Sequence, residues 1–251
     1  MKNINTIPIK YLSFGLKSKS GINNLGRKTV KTKSSGKSKR KFRILDFYRN
    51  YEESFLVLKI EYDPNRSADI ALICFKNGLL CYIVATANLK KGMFIDNTNF
   101  VDGTTRALSC YNYGDYISNV ELNYNYGSKI ARSAGTYCIV LHKLCENRIV
   151  LRLPSGEEKI LYSKNKGTLG IVSNINHKFI NLKKAGRSFL KGRKPTVRGV
   201  AKNCVDHPHG GGRGRTSKLP VPSNFTRRVL KGVPNKSKKS KFVYKSRKTH
   251  G

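Results

Sequence analysis

The densest group of residues that could do chemistry is the segment DHPHGGGRGR at 206–215. Its three consecutive glycines carry no Cβ, so the backbone there can approach a phosphate or a base closely. Arg213 and Arg215 add planar guanidinium groups that donate several hydrogen bonds to phosphate oxygens. This combination predicts a loop that contacts nucleic acid.

The same segment carries groups that catalysis or metal binding would need. Histidine is the side chain suited to proton transfer near neutral pH, the segment holds two of them in His207 and His209, and Asp206 could orient one of them. A zinc site would take Cys204, His207 and His209, but this spacing matches no zinc motif and lacks an evident fourth ligand. A His–Asp pair acting alone lacks a nucleophile. A metal-dependent nucleic-acid enzyme that uses Asp206, His207 and His209 stays open as the alternative to a structural contact loop.

Two further arginines stand in segments that predict exposed loops. In EYDPNRSADIAL (61–72), the turn signal Asp63-Pro64-Asn65 presents Arg66 between two apolar strands. In ARSAGTY (131–137), Arg132 precedes small residues that would allow another chain to approach closely. Each arginine could also be a solvated surface residue, so the pattern leaves both interpretations open.

The charge of the 251-residue chain is concentrated at its two ends. Residues 1–45 carry 13 Lys and Arg and no acid, whereas residues 46–158 carry 12 basic and 13 acidic residues. Residues 159–251 carry 25 Lys and Arg against Asp206 alone, which brings the net charge to +36. Self-repulsion on this scale disfavours compaction unless a polyanion neutralises it, which favours nucleic acid over an anionic membrane surface as the partner. A free-standing metabolic enzyme is disfavoured, while a protein that coats nucleic acid nonspecifically stays open.

The near-neutral middle of the chain has the pattern of short β-strands. Runs rich in β-branched and aromatic residues, separated by turn signals such as Lys76-Asn77-Gly78, predict two sets of strands with one further strand between them. The predicted strands cover 42–48, 54–62, 69–75, 79–85, 117–122, 136–144, 148–153, 159–162 and 168–172. This spacing predicts an all-β fold of two small antiparallel barrels.

Outside the strands the chain predicts little regular structure. One short helix is predicted over 175–184, with Gly186 as its C-terminal cap. Residues 1–41 and 186–251 are too rich in Gly, Pro, Ser, Lys and Arg to bury a core, so we expect them to fold only against a partner. No apolar run reaches 18 residues, which excludes a transmembrane helix. The six cysteines form no CxxC pair and predict reduced, mostly buried thiols.

Taken in order, these segments resemble the family of the universal second protein of the large ribosomal subunit, in its bacterial and organellar form. Besides the two arginine loops, the resemblance rests on KSGINNLGR (19–27), FRILDFYRN (42–50), TLGIVSN (168–174) and KPTVRGVAKNCVDHPHGGGRGR (194–215). It covers residues 20–215 of the chain, and the last block is highly specific to the family.

The resemblance implies an OB-fold barrel followed by an SH3-like barrel, with long basic tails threaded into large-subunit ribosomal RNA. The expected domains are a basic N-terminal extension at 1–41, an OB-fold-like RNA-binding domain at 42–125, an SH3-like barrel domain at 126–185 and an extended basic C-terminal tail at 186–251. The two barrels agree with the two sets of strands.

The resemblance also implies which residues bind RNA. They are Arg66, Arg132, Arg198, Lys202, Asp206, His207, His209, Gly210, Gly211, Gly212, Arg213 and Arg215. Arg66 and Arg132 match family positions of primary RNA binding, and the loop around His207 matches the part that approaches the peptidyl transferase region. In the ribosome to which this family belongs, RNA performs peptide bond formation. We therefore expect that the protein is not an enzyme, that it has no catalytic residue and that His207 has a supportive role. Two departures are Cys204, where a proline is usual, and Arg213, where bacterial members have an acid.

Partners and location follow from the same resemblance. The expected partners are large-subunit rRNA, neighbouring ribosomal proteins and the small subunit through intersubunit contacts, with no membrane insertion and no small-molecule substrate. No metal site or cofactor of its own is expected, only the Mg²⁺ that accompanies rRNA. Because Lys, Asn, Ile and Tyr are abundant and Ala is scarce, as in proteins of AT-rich genomes, we expect a mitochondrial ribosome, with the plastid or the bacterial cytoplasm as alternatives.

Overall fold

The computed structural model describes residues 9–15, 20–33, 41–50, 53–96, 99–145, 147–207, 209–212 and 242–246. The strands are Ser13–Gly15 (β1), Lys41–Arg43 (β2), Phe55–Glu61 (β3), Ile70–Phe75 (β4), Leu80–Val84 (β5), Phe94–Ile95 (β6), Thr105–Ala107 (β7), Tyr116–Ser118 (β8), Val120–Glu121 (β9), Ser128–Ile130 (β10), Cys138–Cys145 (β11), Arg148–Arg152 (β12), Glu158–Tyr162 (β13), Lys166–Leu169 (β14) and Val243–Lys245 (β15). The helices are the α-helix Ala185–Leu190 (α1) and the 3₁₀ helices Lys10–Leu12, Leu108–Cys110, Ile175–Phe179 and Gly199–Ala201.

The first sheet has four antiparallel strands in the order β5-β4-β3-β6. Strand β4 is buried on both faces, because Ile73 packs into one apolar cluster and Ile70 and Leu72 pack into another. The hairpin predicted between β4 and β5 is confirmed. Gly78 adopts a φ of +82°, which favours glycine, and Asn77 Oδ1 accepts the N–H of Leu79 at 2.9 Å.

The second sheet has seven antiparallel strands in the order β15-β13-β12-β11-β8-β14-β7. Its core gathers buried apolar side chains from β8, β11 and β12, including Ile117, Val140 and Ile149. The strand predicted over 117–122 is divided into β8 and β9 at Asn119, whose φ of +49° lies outside the β region. Strand β9 then pairs with β10 instead of with the larger sheet.

The predicted fold class is confirmed. Apart from α1 and the short 3₁₀ helices, the regular structure of the described residues is β-sheet, and every named strand pair is antiparallel. This architecture is consistent with an OB-fold barrel followed by an SH3-like barrel. None of the described helices is long and apolar enough to cross a membrane.

The predicted helix over 175–184 is wrong in its limits. Residues Ile175–Phe179 form a 3₁₀ helix, and Lys183, at a φ of +60°, separates it from α1. Gly186 does not cap a helix but lies inside α1. A helix tolerates an interior glycine at a cost of about 1 kcal/mol relative to alanine. The glycine that follows the helix end is Gly192, with a φ of +85° and an N–H that bonds the Phe189 carbonyl at 2.8 Å.

The cysteines are all free thiols, but the prediction that most are buried is wrong. Cys138 is buried in the core of the second sheet, and burial raises its pKa to about 12. Cys74 and Cys81 are half-buried, and Cys110, Cys145 and Cys204 are exposed. The exposed thiols lie in a short 3₁₀ helix, at the end of a strand and in a loop, where no core packs against them.

The chain divides into two compact units. The first consists of Met1–Leu16, Arg40–Ile180 and Ser240–Gly251, and it holds the four-stranded and seven-stranded sheets and the two-stranded pairs β1-β2 and β9-β10. The second consists of Lys17–Lys39 and Asn181–Lys239, and it joins the two basic ends of the chain. Within the second unit, Lys33 pairs with Arg193 in an isolated bridge, and the N–H of Lys194 bonds the Thr32 carbonyl at 3.0 Å.

Candidate nucleic-acid interface

Arg66 lies on the turn that its sequence predicts, but it is not simply solvated. Its Nε donates to Asp63 Oδ2 at 2.6 Å, and Asp63 is fully buried. The same carboxylate accepts the N–H of Asn65 at 2.9 Å, which closes the turn. The Arg66 side chain keeps 18% of its surface exposed. It is therefore partly anchored in the fold and partly available to a partner.

Arg132 reaches the same place from the second barrel. Its guanidinium carbon lies 4.9 Å from the centre of the Phe47 ring, and that of Arg66 lies 5.8 Å from the same ring. Arg132 is exposed, and among the described residues it has no acidic partner. The structure thus brings the two predicted arginines together on one aromatic side chain.

Phe47 is the residue of this arrangement that the sequence did not single out. It is half-buried and packs with Leu45 against the buried side chains of Ala68, Val84 and Val172. Its ring offers a π face to two cations, which stabilises each guanidinium by about 0.5–1 kcal/mol at exposed sites. The sequence placed Phe47 in a predicted strand, and its aromatic type was the only signal available.

Hydrogen bonds between the two barrels fix the relative position of the arginine loops. Ser67 Oγ accepts the N–H of Ala134 at 3.1 Å, and Asn174 Nδ2 donates to the Ser67 carbonyl at 2.8 Å. Ser173 Oγ accepts the N–H of Asp69 at 3.0 Å. Because these bonds join residues more than 60 positions apart, the loops are held by the tertiary fold.

The small residues of ARSAGTY serve this chain's own packing. A Cβ on Gly135 would lie 3.1 Å from the Cα of Ile175, and the φ of Gly135 is +66°. Its N–H bonds the carbonyls of Val172 and Ser173 at 3.1 and 3.2 Å. The close approach predicted for another chain is therefore made here by residues 172–175.

In the second unit, the loop that carries the two histidines is folded around His207. The imidazole lies against Gly199, where a Cβ would be 2.4 Å from His207 Cε1. A Cβ on Gly210 would be 2.3 Å from the Asn203 carbonyl oxygen, so these two glycines are needed for packing within the loop. Gly211 and Gly212 have φ values of +87° and +94° and are exposed, so their backbone can face a partner.

His207 is held as a neutral imidazole. Its Nδ1 accepts the N–H of His209 at 3.0 Å, which a protonated Nδ1 cannot do. Burial lowers the pKa of His207, and the nearby charges of His209 and Lys202 lower it further. The neutral ring therefore carries its proton on Nε2. Asp206 is exposed, and because Nδ1 accepts the His209 N–H, it carries no proton that it could donate to this carboxylate.

Of the remaining residues predicted to bind RNA, some lie in this loop and others lie outside the residues that the structure describes. Arg198 is exposed, and Lys202 is half-buried, with its carbonyl accepting the N–H of Gly211 at 3.2 Å. Arg213 and Arg215 lie outside the described residues. Within the described part of the chain, no three His, Cys, Asp or Glu residues are grouped so that they could hold a metal ion. The geometry therefore gives the metal alternative no support.

The described part of the second unit carries a strong excess of positive charge, which suits a loop that contacts phosphates. Residues 20–33 and 181–212 carry 12 Lys and Arg and a single acid, Asp206. A density of positive charge of this kind attracts phosphates over a distance set by the ionic strength. The first unit presents the paired arginines, and the second presents an exposed, basic, glycine-rich loop.

Comparison with known proteins gives two family matches that together span most of the chain. Residues 9–97 match the model of the RNA binding N-terminal domain of Ribosomal Proteins L2. Residues 102–225 match the model of the C-terminal domain of Ribosomal Proteins L2. The four-stranded sheet lies within the first match, and β7 to β14 lie within the second.

Individual bacterial proteins are similar over almost the whole chain. The large ribosomal subunit protein uL2 of Brucella ovis is 44% identical over 246 residues, which cover 96% of this chain and 88% of that protein. The protein of the same name from Sinorhizobium fredii is 43% identical over 247 residues, with the same coverage. The one from Wolbachia pipientis is 42% identical over 245 residues, covering 95% of this chain and 86% of that protein.

Proposed function

As a member of the ribosomal protein L2 family, the chain is a structural constituent of the large ribosomal subunit that binds ribosomal RNA, and we propose that Arg66 and Arg132 form its central RNA contact. The observation that carries the proposal is their meeting on Phe47. Two guanidinium groups that separate loops bring to one ring can bind neighbouring phosphates or stack on an unpaired base.

The glycine-rich loop forms the second RNA contact. Arg198, Lys202 and the backbone of Gly210, Gly211 and Gly212 face the RNA, with Asp206, His207 and His209 in the same loop and Arg213 and Arg215 continuing it. In this proposal the loop approaches the peptidyl transferase region and supports it, and the chain is not itself an enzyme. The neutral His207 would shape the loop and could donate one hydrogen bond from Nε2, without a catalytic proton transfer.

Partners beyond the RNA follow from membership of the subunit. Neighbouring ribosomal proteins are partners, and we further propose contacts with the small subunit across the subunit interface. The similar proteins are bacterial, and the chain's location is a ribosome. The AT-rich bias of its composition supports a mitochondrial ribosome in our proposal, with the plastid and the bacterial cytoplasm as the other candidates.

The domain limits predicted from the sequence stay a proposal, which the strand pairing helps to refine. Strands β7 and β8 hydrogen-bond within the seven-stranded sheet, although they precede residue 125. We therefore place the limit between the barrels near residue 100. The C-terminal tail includes β15, which pairs with β13 of the second barrel.

The test of the RNA contact compares Arg132→Ala with Lys76→Ala in the full chain. Both side chains are exposed and each variant removes one positive charge, but Lys76 lies in the distant β4–β5 turn. We expect Arg132→Ala to weaken binding to large-subunit rRNA about tenfold more than Lys76→Ala, since one charged hydrogen bond contributes about 1.5–3 kcal/mol. Equal losses in both variants would favour nonspecific coating of RNA by charge.

Ribosome membership is tested separately by sedimentation. The chain should co-sediment with large subunits in a lysate gradient, and its complete absence from those fractions would contradict the assignment. The metal-dependent enzyme alternative would require bound metal in a stoichiometric amount and RNA cleavage that His207→Ala abolishes.

A further inference from the structure

The second barrel has a surface cavity that the proposed RNA contacts do not use. Its volume is about 320 Å³, at the lower end of the range of roughly 300–1,000 Å³ typical of small-ligand sites. Tyr124, Asn147, Tyr162, Ser163 and Lys164 line it. The residues around this cavity therefore carry two aromatic rings, an amide, a hydroxyl and an ammonium group, and its volume suits a ligand of about the size of one nucleotide.

The polar groups of these lining residues are available to a ligand. Among the described residues, none hydrogen-bonds the Asn147 amide group, the Ser163 hydroxyl or the Lys164 ammonium group, although Ser163 is only 5% exposed. Tyr124 and Tyr162 are 56% and 45% exposed. Large exposed aromatic side chains beside unused donors are typical of sites that stack bases.

The fold holds one wall of the cavity through Tyr162. This residue ends β13, and its ring centre lies 6.2 Å from that of Phe242, just before β15. The next residue is fixed by its backbone, because the N–H of Ser163 bonds the Asn147 carbonyl at 3.0 Å. Arg148 is the cross-strand neighbour of Tyr162 and is exposed, which adds positive charge beside this wall.

A buried carboxylate holds the loop that carries Tyr124. Glu121 is 1% exposed, and its two oxygens accept the N–H of Gly127 at 3.2 Å and that of Lys166 at 3.0 Å. Asn165 Nδ2 also donates to the Leu122 carbonyl at 3.1 Å. The 122–127 loop is thereby tied to the residues that follow Tyr162, so the cavity is largely formed before any ligand enters.

We propose that this cavity binds one unpaired nucleotide of RNA. The base would stack on Tyr124 or Tyr162, the Asn147 amide and Ser163 hydroxyl would bond its polar edge, and Lys164 would contact a phosphate. An amide can both donate and accept, which suits a base edge, whereas a free anion would use only Lys164. The proposal rests on the proposed function, because rRNA is the nucleic acid that the chain meets.

The test uses the full chain and two oligomers of six units. One is hexa-adenylate, and the other has the same ribose-phosphate backbone without bases. Binding is measured by fluorescence anisotropy at a salt concentration high enough to weaken the phosphate contacts of the basic ends. The variants are Tyr124→Ala, Tyr162→Ala, both Tyr→Phe changes and Lys164→Ala, with Tyr113→Ala as the matched control. Tyr113 is 64% exposed and does not line the cavity.

We expect each Tyr→Ala change at the cavity to lower affinity for hexa-adenylate by about 5- to 150-fold, the range that loss of one stacked base implies. Binding of the base-free oligomer should stay unchanged, the Tyr→Phe variants should retain affinity, and Lys164→Ala should weaken both oligomers. In ultraviolet-irradiated large subunits, a nucleotide should be cross-linked to a peptide that contains Tyr124 or Tyr162.

Other outcomes overturn the proposal in distinguishable ways. Unchanged affinity in the Tyr→Ala variants, an equal loss for both oligomers, or no preference of the wild-type chain for bases would each reject the nucleotide site. Cross-links from Lys164 to another ribosomal protein in place of RNA would make the cavity a protein contact. If the wild-type chain bound no rRNA at all, the proposed function itself would fail.

Discussion

Replacing Arg66 with alanine should destabilise the fold as well as weaken RNA binding. The change leaves the fully buried carboxylate of Asp63 without its partner at 2.6 Å. Loss of one member of a buried pair costs about 3–5 kcal/mol, and loss of a hydrogen bond to a charged group costs about 1.5–3 kcal/mol. The lower range applies here because Asp63 keeps the Asn65 N–H at 2.9 Å and the Arg66 side chain is already 18% exposed.

This cost translates into a measurable shift of the melting temperature. At roughly 2–4 °C per kcal/mol for a chain of this size, Arg66→Ala should lower the Tm by about 3–12 °C. Calorimetry at a salt concentration that keeps the basic chain in solution measures the Tm, and filter binding measures affinity for large-subunit rRNA. Arg132→Ala is the control, because its contact with Phe47 contributes only about 0.5–1 kcal/mol.

A double-mutant cycle with Asp63→Asn isolates the interaction free energy between Asp63 and Arg66. In the Asp63→Asn background, Arg66→Ala should cost much less stability than in the wild-type chain, because no buried charge is then left unpaired. If Arg66→Ala kept the wild-type Tm while RNA binding fell, the reasoning from the buried carboxylate would be refuted and Arg66 would be a purely RNA-facing residue.

Three further predictions concern the RNA, the histidine loop and the C-terminal strand. If about ten phosphates are neutralised, the log–log slope of rRNA affinity against salt should be roughly −7 to −9, and a slope near zero would contradict a phosphate-dominated interface. Because the pKa of His207 is lowered in the fold, the loop should be most stable above about pH 6.5 and lose stability as the pH falls through that lowered pKa. The hydrogen-exchange protection of the His209 amide, which donates to His207, should therefore decrease at these lower pH values and stay constant above about pH 6.5. Deleting residues 242–251 should lower the protection of the Ile160 amide, which donates to that segment at 2.8 Å, and leave Val57 in the first sheet unchanged; equal loss at both amides would indicate global unfolding.

The strands were predictable where side-chain type and alternation decide them. The sequence predicted β3, β4, β5, β11, β12 and β13 to within about two residues, because β-branched and aromatic runs bounded by turn residues are local signals. It failed at Asn119, where a positive φ divides one predicted strand, and at α1, where Gly186 is helical and Gly192 follows the helix end. The conformation at such positions is decided by tertiary packing, and a short window of sequence carries no information about that packing.

The candidate site was predictable residue by residue but not as an arrangement. Arg66 and Arg132 were identified from their loops, yet nothing local indicated that Phe47 would lie beneath both. His207 was identified as a group that titrates, but its inward orientation depends on Gly199, eight residues earlier. The buried partner of Arg66 was missed because a turn aspartate is usually solvated.

The sequence by itself determined the strand-rich middle, the two basic ends and nucleic acid as the class of partner. These properties depend on composition, alternation and summed charge, which are additive along the chain. Only the tertiary structure decided that two arginines share one aromatic ring, that His207 faces its own loop, and that β15 pairs with β13 some 80 residues earlier. Each of these contacts joins side chains or strands whose meeting depends on the path of the backbone between them, and that path is fixed by packing of the whole core.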